Sequence, residues 1–311
     1  MKLFVYTALD EAARAYLRQQ LPADAEITFN ENQSAAQAPA ALQAAEVLFG
    51  NPPAAWLTAG PLPQLKFWQI DSAGFERYQG VQLPIPVANM GDFFAWPCAE
   101  AMVAGLLALY RLVPELVRLQ EKQQWVGHQL RSRQGLLRGK RVVLLGAGTI
   151  GQAVRKQLSG FGCVVQLLAR TDPQAQLHSK EELAAALPET DIVVNCLPGS
   201  ADAFFSADLV AAMRPGSFYA SVGRGNTTDE LALIAALQAG RLGGAVLDVT
   251  ATEPIPPGHP LWTLPNVLLT QHTGGGQPLE IEGKIDQLAR NLERLRTGQP
   301  LENPVKLEEG Y

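Results

Sequence analysis

Three side chains of complementary chemistry follow predicted core strands in the second half of this 311-residue chain. His272 follows the run NVLLTQ and is the only one of the four histidines directly behind such a strand. Arg224 lies in SVGRG, and Glu253 lies in LDVTATEP. Because ligands bind at the carboxyl ends of parallel strands, these groups are expected to converge on one crevice. An imidazole, a guanidinium and a carboxylate placed together form a candidate hydride-transfer site.

Each of these residues also has an ordinary structural interpretation. A histidine can close a strand by bonding to a carbonyl, an arginine can form a surface ion pair, and Glu253 can be a solvated acid ahead of a proline-rich turn. Gly223 and Gly225, which flank the arginine, favour close approach of the backbone to a ligand there. His259, in the same loop as Glu253, is expected to be a cap or a surface residue.

A glycine-rich loop predicts a second ligand. The predicted strand RVVLL leads into GAGTIG and then into a helix. Gly146 permits a tight turn, Gly148 lets the backbone approach a pyrophosphate, and Gly151 lets helix and strand pack closely. The helix beginning at Thr149 and Ile150 supplies N–H donors and the positive end of a dipole. The order of strand, loop and helix therefore predicts dinucleotide binding.

The end of the second predicted strand bears on the choice of cofactor. Ala169 stands where a carboxylate would hold the ribose 2′-hydroxyl of NAD, and Arg170 and Thr171 follow it. A guanidinium binds a 2′-phosphate bidentately. NADP(H) is therefore predicted as the preferred cofactor, with NAD(H) as the alternative. A second interpretation stays open, in which Arg170 is a solvated charge of the loop, because the acidic Asp172 lies two residues beyond it.

The elements that must position these groups alternate along the whole chain. Short β-rich runs alternate with Ala/Leu-rich helical stretches, a pattern typical of α/β proteins with parallel sheets. Six strands are predicted in the second half, at 141–145, 163–169, 191–197, 217–222, 243–249 and 266–271. Helices are predicted between them at about 150–160, 180–187, 205–213 and 228–239. This is the strand count of a doubly wound dinucleotide fold.

The length predicts two domains. Strands at 2–7, 47–50 and 65–70 belong to the first part, and a final helix at 280–296 is expected to return to it. The predicted fold is thus two doubly wound parallel-sheet domains. A Rossmann-type cofactor domain takes residues 97–275, and a smaller flavodoxin-like substrate domain is formed by both chain ends, 1–96 and 276–311.

A long helix is predicted from Cys98 to about Gln120, beginning behind Pro97. It is apolar nearly all round as far as Leu112. Such a helix is expected to be buried in a domain junction or in a subunit interface. A homodimer through this helix and its polar extension is therefore expected.

Composition excludes several classes of function. Lys and Arg number 25 against 30 Asp and Glu, a net charge of −5, which leaves no basic footprint for nucleic acid or an anionic membrane. The three cysteines, Cys98, Cys163 and Cys196, are far apart, which argues for a reducing compartment and against a disulfide framework or a zinc site. No metal is expected. The start of the chain lacks a signal-peptide pattern, and a cytoplasmic protein is expected.

Several motifs in order resemble the D-isomer-specific 2-hydroxyacid dehydrogenases. They are LKFWQIDSAGF at 65–75, VANMGDFFAWPCAE at 87–100, GAGTIG at 146–151, MRPGSFYASVGRGNTTDEL at 213–231, LDVTATEP at 247–254 and NVLLTQHTGG at 266–275. The intervals between the motifs match as well, with 29 residues from Arg224 to Glu253 and 19 from there to His272. The resemblance covers almost the whole chain.

The resemblance implies a role for each of the three residues. Arg224 binds and polarises the substrate, Glu253 pairs with His272, and His272 is the acid/base. Reduction of a 2-keto acid puts hydride on carbon and a proton on oxygen, so His272 must be protonated before transfer. The adjacent carboxylate favours that protonated form, and the arginine supplies fixed positive charge where negative charge develops.

Further roles follow from the same resemblance. The backbone N–H groups of Ala73 and Gly74 resemble a second clamp for the substrate carboxylate. Asp248 resembles the acid that holds the nicotinamide carboxamide. The segment Leu197-Pro198 resembles the one that lies along the cofactor.

The expected activity is reduction of a short 2-keto acid to the D-2-hydroxy acid with NADPH, as in glyoxylate/hydroxypyruvate reductases. Two departures from the family leave alternatives open. Gln271 replaces the usual proline before the histidine, and the segment 91–96 is unusually aromatic. A reductase for bulkier aromatic or branched keto acids is one alternative, and a non-catalytic NAD(P)-sensing protein is the other.

Overall fold

Strands and helices alternate through residues 1–310, the part of the chain that the computed structural model describes. The strands are β1 Lys2–Val5, β2 Glu26–Phe29, β3 Val47–Phe49, β4 Phe67–Gln69, β5 Val87–Ala88, β6 Arg141–Leu145, β7 Val164–Leu168, β8 Ile192–Asn195, β9 Phe218–Ser221, β10 Gly244–Leu247, β11 Val267–Leu269 and β12 Pro304–Val305. The α-helices are α1 Glu11–Gln20, α2 Ala38–Gln43, α3 Ala54–Thr58, α4 Ala95–Tyr110, α5 Val113–Glu121, α6 Gly127–Leu130, α7 Thr149–Ser159, α8 Lys180–Ala186, α9 Ala207–Ala212, α10 Glu230–Gln238 and α11 Glu280–Thr297.

The chain divides into two units. The terminal unit comprises Met1–Phe93 and the segment that begins at Gln277, and the central unit comprises Phe94–Gly276. The boundaries of the central unit differ from the predicted 97–275 by three residues and one residue. Both chain ends therefore share one unit.

The sheet of the terminal unit has the order β12-β5-β4-β3-β1-β2. Neighbouring strands run parallel except β12, which pairs antiparallel with β5. Successive side chains point to opposite faces of a strand, so Phe4 and Leu48 pack in one core while Val5 and Phe49 pack in another. The strands β2, β5 and β12 were not predicted, because two to four residues carry too little hydrophobic pattern to be recognised.

Buried amides fasten α11 to this sheet. Asn291 is fully buried and donates from Nδ2 to Oε1 of Gln69, at 2.8 Å. Gln287 donates from Nε2 to the carbonyl oxygen of Asn89, at 2.6 Å. Since an unpaired buried amide costs free energy, these bonds specify how the helix docks on the sheet. The predicted return of the last helix to the first part of the chain is confirmed.

The sheet of the central unit has the order β11-β10-β9-β8-β6-β7, and all of its strands run parallel. The six predicted strands and the four predicted helices between them are confirmed to within two residues at each end. Helices cover both faces, which is why the central strands are apolar on both sides. The chain reverses direction of winding between β6 and β8, and that switch point is where such sheets bind ligands.

The single helix predicted from Cys98 to Gln120 is wrong. The structure has two helices, α4 and α5, separated by Leu112 in the left-handed region with φ 58°. Pro114 explains the break, because it has no N–H to donate to the carbonyl of Tyr110 and its ring would collide with that carbonyl. Gly105 of α4 packs against Val246 of β10, with no room for a Cβ. None of the helices within residues 1–310 has the length and apolarity that a bilayer-spanning segment requires.

Candidate active site

The imidazole of His272 and the carboxylate of Glu253 form a hydrogen-bonded pair in the central unit. Nδ1 of His272 lies 2.6 Å from Oε2 of Glu253. The other carboxylate oxygen, Oε1, accepts a hydrogen bond from the backbone N–H of Thr250 at 2.9 Å, which fixes the plane of the carboxylate. The side chains of both partners are partly exposed, by 53% and 36%. The pair therefore leaves Nε2 of the imidazole for exchange of a proton with a ligand.

A buried carboxylate holds the loop that carries His272. Asp248 is 4% exposed, and its Oδ1 accepts hydrogen bonds from the hydroxyl of Thr270 at 2.6 Å and from the N–H groups of Thr273 and Gly274, both at 3.0 Å. Its carbonyl oxygen accepts the N–H of His272 at 2.7 Å. Hydrogen bonds to a charged acceptor are stronger than neutral ones. Asp248 thus positions the imidazole, a contact that the sequence motif alone did not predict.

The backbone before the histidine explains why glutamine occupies the position of the usual proline. Gln271 and His272 both lie in the left-handed region, with φ 54° and 57°. Proline is locked near −65° and cannot adopt this conformation. Two successive left-handed residues cost roughly 1–2 kcal/mol each. The hydrogen bonds to Asp248 offset that cost.

Arg224 lies in a backbone segment wedged between two other loops of the central unit. A Cβ on Gly223 would overlap the backbone of Leu197, and a Cβ on Gly225 would overlap the carbonyl of Thr250. The structure thus gives these glycines a different reason from the predicted approach to a ligand: the protein's own backbone lies against them. Arg224 is half-buried, and its Nη1 donates to the carbonyl of Gly223 at 2.9 Å.

The loop of Glu253 is braced by a second carboxylate. Oε2 of Glu230 accepts the N–H of Ala251 at 2.9 Å, and its Oε1 lies 3.5 Å from Nε2 of His259. Nδ1 of His259 accepts the N–H of Leu261, so this histidine is the cap that the sequence predicted. Because Gly225 packs on Thr250 of the same loop, the arginine and the glutamate are carried by segments in direct contact.

The glycine-rich loop has the shape required to hold a pyrophosphate. Gly146 has φ 98°, which side chains rarely adopt, and a Cβ on Gly151 would overlap the carbonyl oxygen of Gly146. Gly148, the N-cap of α7, offers no side-chain cap, and a Cβ there would meet open space. The first N–H groups of α7, beginning at Thr149, thus lie next to open space that a side chain at position 148 would occupy. The loop fits a dinucleotide.

The end of β7 presents a cation. Arg170 is exposed, and across residues 1–310 it forms no hydrogen bond or ion pair. The carboxylate of Asp172, which counted against a phosphate site in the sequence, instead accepts the N–H of Gln174 at 2.7 Å and so closes a local turn. The ring of His178 lies against the same strand end, with Nδ1 2.9 Å from the carbonyl oxygen of Ala169.

In the terminal unit, the backbone carbonyl groups of Ala73 and Gly74 both accept hydrogen bonds. Asn89 donates from Nδ2 to the carbonyl of Ala73 at 2.6 Å, and the hydroxyl of Ser72 donates to that of Gly74 at 2.7 Å. Within the described chain, the N–H groups of Ala73 and Gly74 have no hydrogen-bond acceptor. Two adjacent unpaired N–H groups form a site for an anion.

The cysteines are not placed for nucleophilic chemistry. Burial raises the pKa of the Cys98 thiol to about 12 and that of Cys196 to about 12 as well. Burial also raises the pKa of Cys163. Since the thiolate is the reactive form, these side chains are protonated near neutral pH and act as small apolar groups.

Comparison with known proteins decides the family. Residues 103–274 match the NAD-binding domain of the D-isomer specific 2-hydroxyacid dehydrogenases. The chain belongs to this family. The resemblance seen in the sequence motifs is thereby confirmed, and the protein is an NAD(P)-dependent oxidoreductase.

Individual family members are similar over most of the chain. Glyoxylate/hydroxypyruvate reductase A of Serratia proteamaculans is 29% identical over 235 residues, which cover 73% of this chain and 73% of the relative. Glyoxylate/hydroxypyruvate reductase HPR3 of Arabidopsis thaliana is 28% identical over 79% of this chain and 78% of its own. The crystal structure of a family member from Xanthobacter autotrophicus Py2, in complex with NADPH and MES, has a TM-score of 0.82 and 26% identity, covering 100% of this chain and 99% of that one.

Proposed function

We propose that this dehydrogenase reduces a short 2-keto acid to the D-2-hydroxy acid with NADPH. The observation that carries the proposal is the 2.6 Å pair of His272 and Glu253, held on the same sheet as Arg224 and the glycine-rich loop. The pairing supplies a proton donor, and the guanidinium supplies a fixed positive charge. Curated relatives from Serratia proteamaculans and Arabidopsis thaliana are named as glyoxylate/hydroxypyruvate reductases, which supports a short substrate.

The proposed mechanism assigns one task to each side chain. NADPH, when bound, supplies the hydride to the carbonyl carbon of the substrate. His272 donates the proton on Nε2 to the carbonyl oxygen, because Nδ1 is engaged with Glu253. Glu253 accepts the hydrogen bond from Nδ1 and stabilises the imidazolium before the transfer. Arg224 binds the substrate and stabilises the negative charge that develops on the carbonyl oxygen.

We also propose which residues hold the cofactor. Gly146, Gly148 and Gly151 shape the loop, and the N–H groups at Thr149 and Ile150 bind the pyrophosphate. Leu197 and Pro198 would contact the bound cofactor, and Asp248 would hold its carboxamide. Arg170, with Thr171 beside it, binds the 2′-phosphate, which is the basis for preferring NADPH over NADH. The absence of a carboxylate at Ala169 supports this preference, since an acid there would repel the phosphate.

The turn of Ala73 and Gly74 in the terminal unit is proposed as an anion-binding site. The N–H groups of Ala73 and Gly74 are unpaired within residues 1–310, so the turn can accept an anion without losing an existing bond. The terminal unit is accordingly the proposed substrate domain and the central unit the proposed cofactor domain. Phe93 packs against Gly283 and Phe94 against Gly275, each within its own unit, so both aromatic side chains have a structural role.

A homodimer is proposed from the surface of α5 and the segment behind it. Val113, Leu116 and Val117 are between 39% and 47% exposed, and Trp125 is 99% exposed. Exposed apolar side chains grouped in this way are typical of an interface. Sedimentation at several concentrations tests the dimer, and a monomer at micromolar concentration would refute it.

One experiment tests the activity. Glyoxylate, hydroxypyruvate and phenylpyruvate are assayed with NADPH and with NADH by absorbance at 340 nm. The proposal predicts the highest kcat/KM for one of the two short acids with NADPH. A higher value for phenylpyruvate would replace it with a bulky-substrate reductase. Binding of NADPH without turnover of any acid would indicate a nucleotide-sensing protein.

A further inference from the structure

We infer that Thr227 is a positioning residue that sets the place of Arg224 through a buried hydrogen-bond relay beginning at Asn195. The inference rests on the proposed role of Arg224 in binding substrate. It concerns buried polar side chains to which the sequence motifs assigned no role.

The relay begins at the end of β8. Asn195 is fully buried, and its Oδ1 accepts the backbone N–H of Leu197 at 2.9 Å. Because that oxygen is committed to an N–H donor, Nδ2 must be the donor on the other side of the amide. Nδ2 lies 2.8 Å from Oγ1 of Thr227, 2.9 Å from the hydroxyl of Tyr219 and 3.2 Å from Oγ1 of Thr228. Its two protons go to the two nearer oxygens.

Thr227 connects Asn195 to Arg224 through two hydrogen bonds. Its side chain is fully buried, and Oγ1 donates its own proton to the carbonyl oxygen of Arg224 at 2.6 Å. The N–H of Thr227 reaches the same carbonyl at 3.2 Å. The Thr227 hydroxyl therefore accepts a hydrogen bond from Asn195 and donates one to Arg224. These two bonds fix the orientation of the hydroxyl.

The backbone around the arginine leaves little other freedom. The carbonyl oxygen of Asn195 accepts the N–H groups of Val222 and Gly223, at 3.0 and 3.2 Å. The glycines on both sides of Arg224 pack against Leu197 and Thr250, as described above. The hydrogen bonds from Thr227 thus hold the carbonyl group of Arg224. The hydrogen bonds to the carbonyl of Asn195 hold the backbone that precedes the arginine. A guanidinium at the end of a long side chain can bind substrate productively only if its backbone is fixed.

Tyr219 and Thr228 form a side branch of the same network. Burial raises the pKa of Tyr219 to about 12, so its hydroxyl stays protonated and bonds with Oγ1 of Thr228. The side chain of Thr228 bonds to Asn195 and to Tyr219. Thr228 therefore offers a matched control, since it is the adjacent threonine in the same network.

The test compares three variants of the full-length protein. Thr227→Val keeps the shape and removes the hydroxyl, Thr227→Ser restores a hydroxyl, and Thr228→Val removes the neighbouring one. For each, kcat and KM are measured with NADPH and the best keto acid, the Ki is measured for oxamate as a carboxylate-bearing inhibitor, and the Kd for NADPH is measured by fluorescence.

The inference predicts that Thr227→Val raises KM and the oxamate Ki by roughly tenfold with the Kd for NADPH unchanged. Thr227→Ser is expected within about threefold of the original protein, and so is Thr228→Val. Equal losses in both valine variants would make the network merely structural and overturn the inference, as would an unchanged KM in an active Thr227→Val protein. An original protein that reduces no keto acid would instead overturn the proposed function.

Discussion

Replacing Glu253 by glutamine removes the negative charge beside His272 and the acceptor for the proton on its Nδ1. The two side chains have the same shape, and the amide oxygen of glutamine can still accept the N–H of Thr250 that now bonds to Oε1 at 2.9 Å. The amide NH2 group then takes the place of Oε2, 2.6 Å from Nδ1 of His272, where it can donate a hydrogen bond but cannot accept one. The substitution therefore withdraws the support of the protonated imidazole and keeps the hydrogen bond to the loop.

The size of the effect follows from the exposure of the pair. A hydrogen bond to a charged group contributes about 1.5–3 kcal/mol, but pairs open to solvent contribute about 0.2–1 kcal/mol. With side-chain exposures of 53% and 36%, the pair lies between these cases. A loss of about 1–2 kcal/mol from the pair corresponds to a factor of roughly five to thirty. The rate of keto-acid reduction at fixed pH is expected to fall by the same factor.

The assay is kcat for keto-acid reduction at 340 nm and pH 8, with the Kd for NADPH measured in parallel. Glu230→Gln is the matched control, because Glu230 faces His259 at 3.5 Å in the same loop region and does not contact His272. We expect Glu253→Gln to lose activity with NADPH binding retained, and Glu230→Gln to stay within about threefold of the original protein. A rate for Glu253→Gln within twofold of the original would refute the role of the charge.

Three further predictions concern other parts of the molecule. Arg170→Ala is expected to raise KM for NADPH roughly ten- to hundredfold with little change for NADH, and equal losses for both would show that Arg170 does not read the 2′-phosphate. Asp248→Ala removes the acceptor of three hydrogen bonds. Urea denaturation should therefore show a free energy of unfolding that is lower by about 3 kcal/mol, and kcat should fall as well. Unchanged stability would contradict the positioning of the His272 loop by this carboxylate. Burial raises the pKa of Cys98 and Cys196 to about 12, so their thiolate fraction at pH 8 is below that of a free cysteine. A thiol-specific dye should therefore label them slowly until the protein unfolds. Rapid labelling of the native protein would contradict this protection.

Local pattern was sufficient for most elements of the fold. The strands of the central unit are apolar runs with turns on both sides, and apolar runs of that length are buried in parallel sheets wherever they lie in a chain. The break between α4 and α5 was missed because the prediction of one helix over 98–120 did not weigh Pro114. A proline acts on a carbonyl four residues earlier, and this local effect outweighed the pattern at Leu112.

The candidate site divides in the same way. Arg224, Glu253 and His272 were visible because each follows a predicted core strand and lies in one of the ordered motifs. Their supporting partners were not visible. Thr227 and Asn195 are common residue types in unremarkable positions, and only the folded chain brings them within 2.8 Å of each other.

By itself, the amino-acid sequence determined the α/β character of the protein, the dinucleotide loop and the family motifs, and it predicted three candidate reactive side chains. Tertiary structure alone decided that β12 runs antiparallel, that Asp248 bonds to the loop of His272, and that the glycines beside Arg224 pack on backbone. The reason lies in the range of the interactions. Hydrophobic period and glycine spacing act over a few neighbouring residues, whereas a hydrogen bond between residues 26 apart exists only after the sheet has brought their loops together.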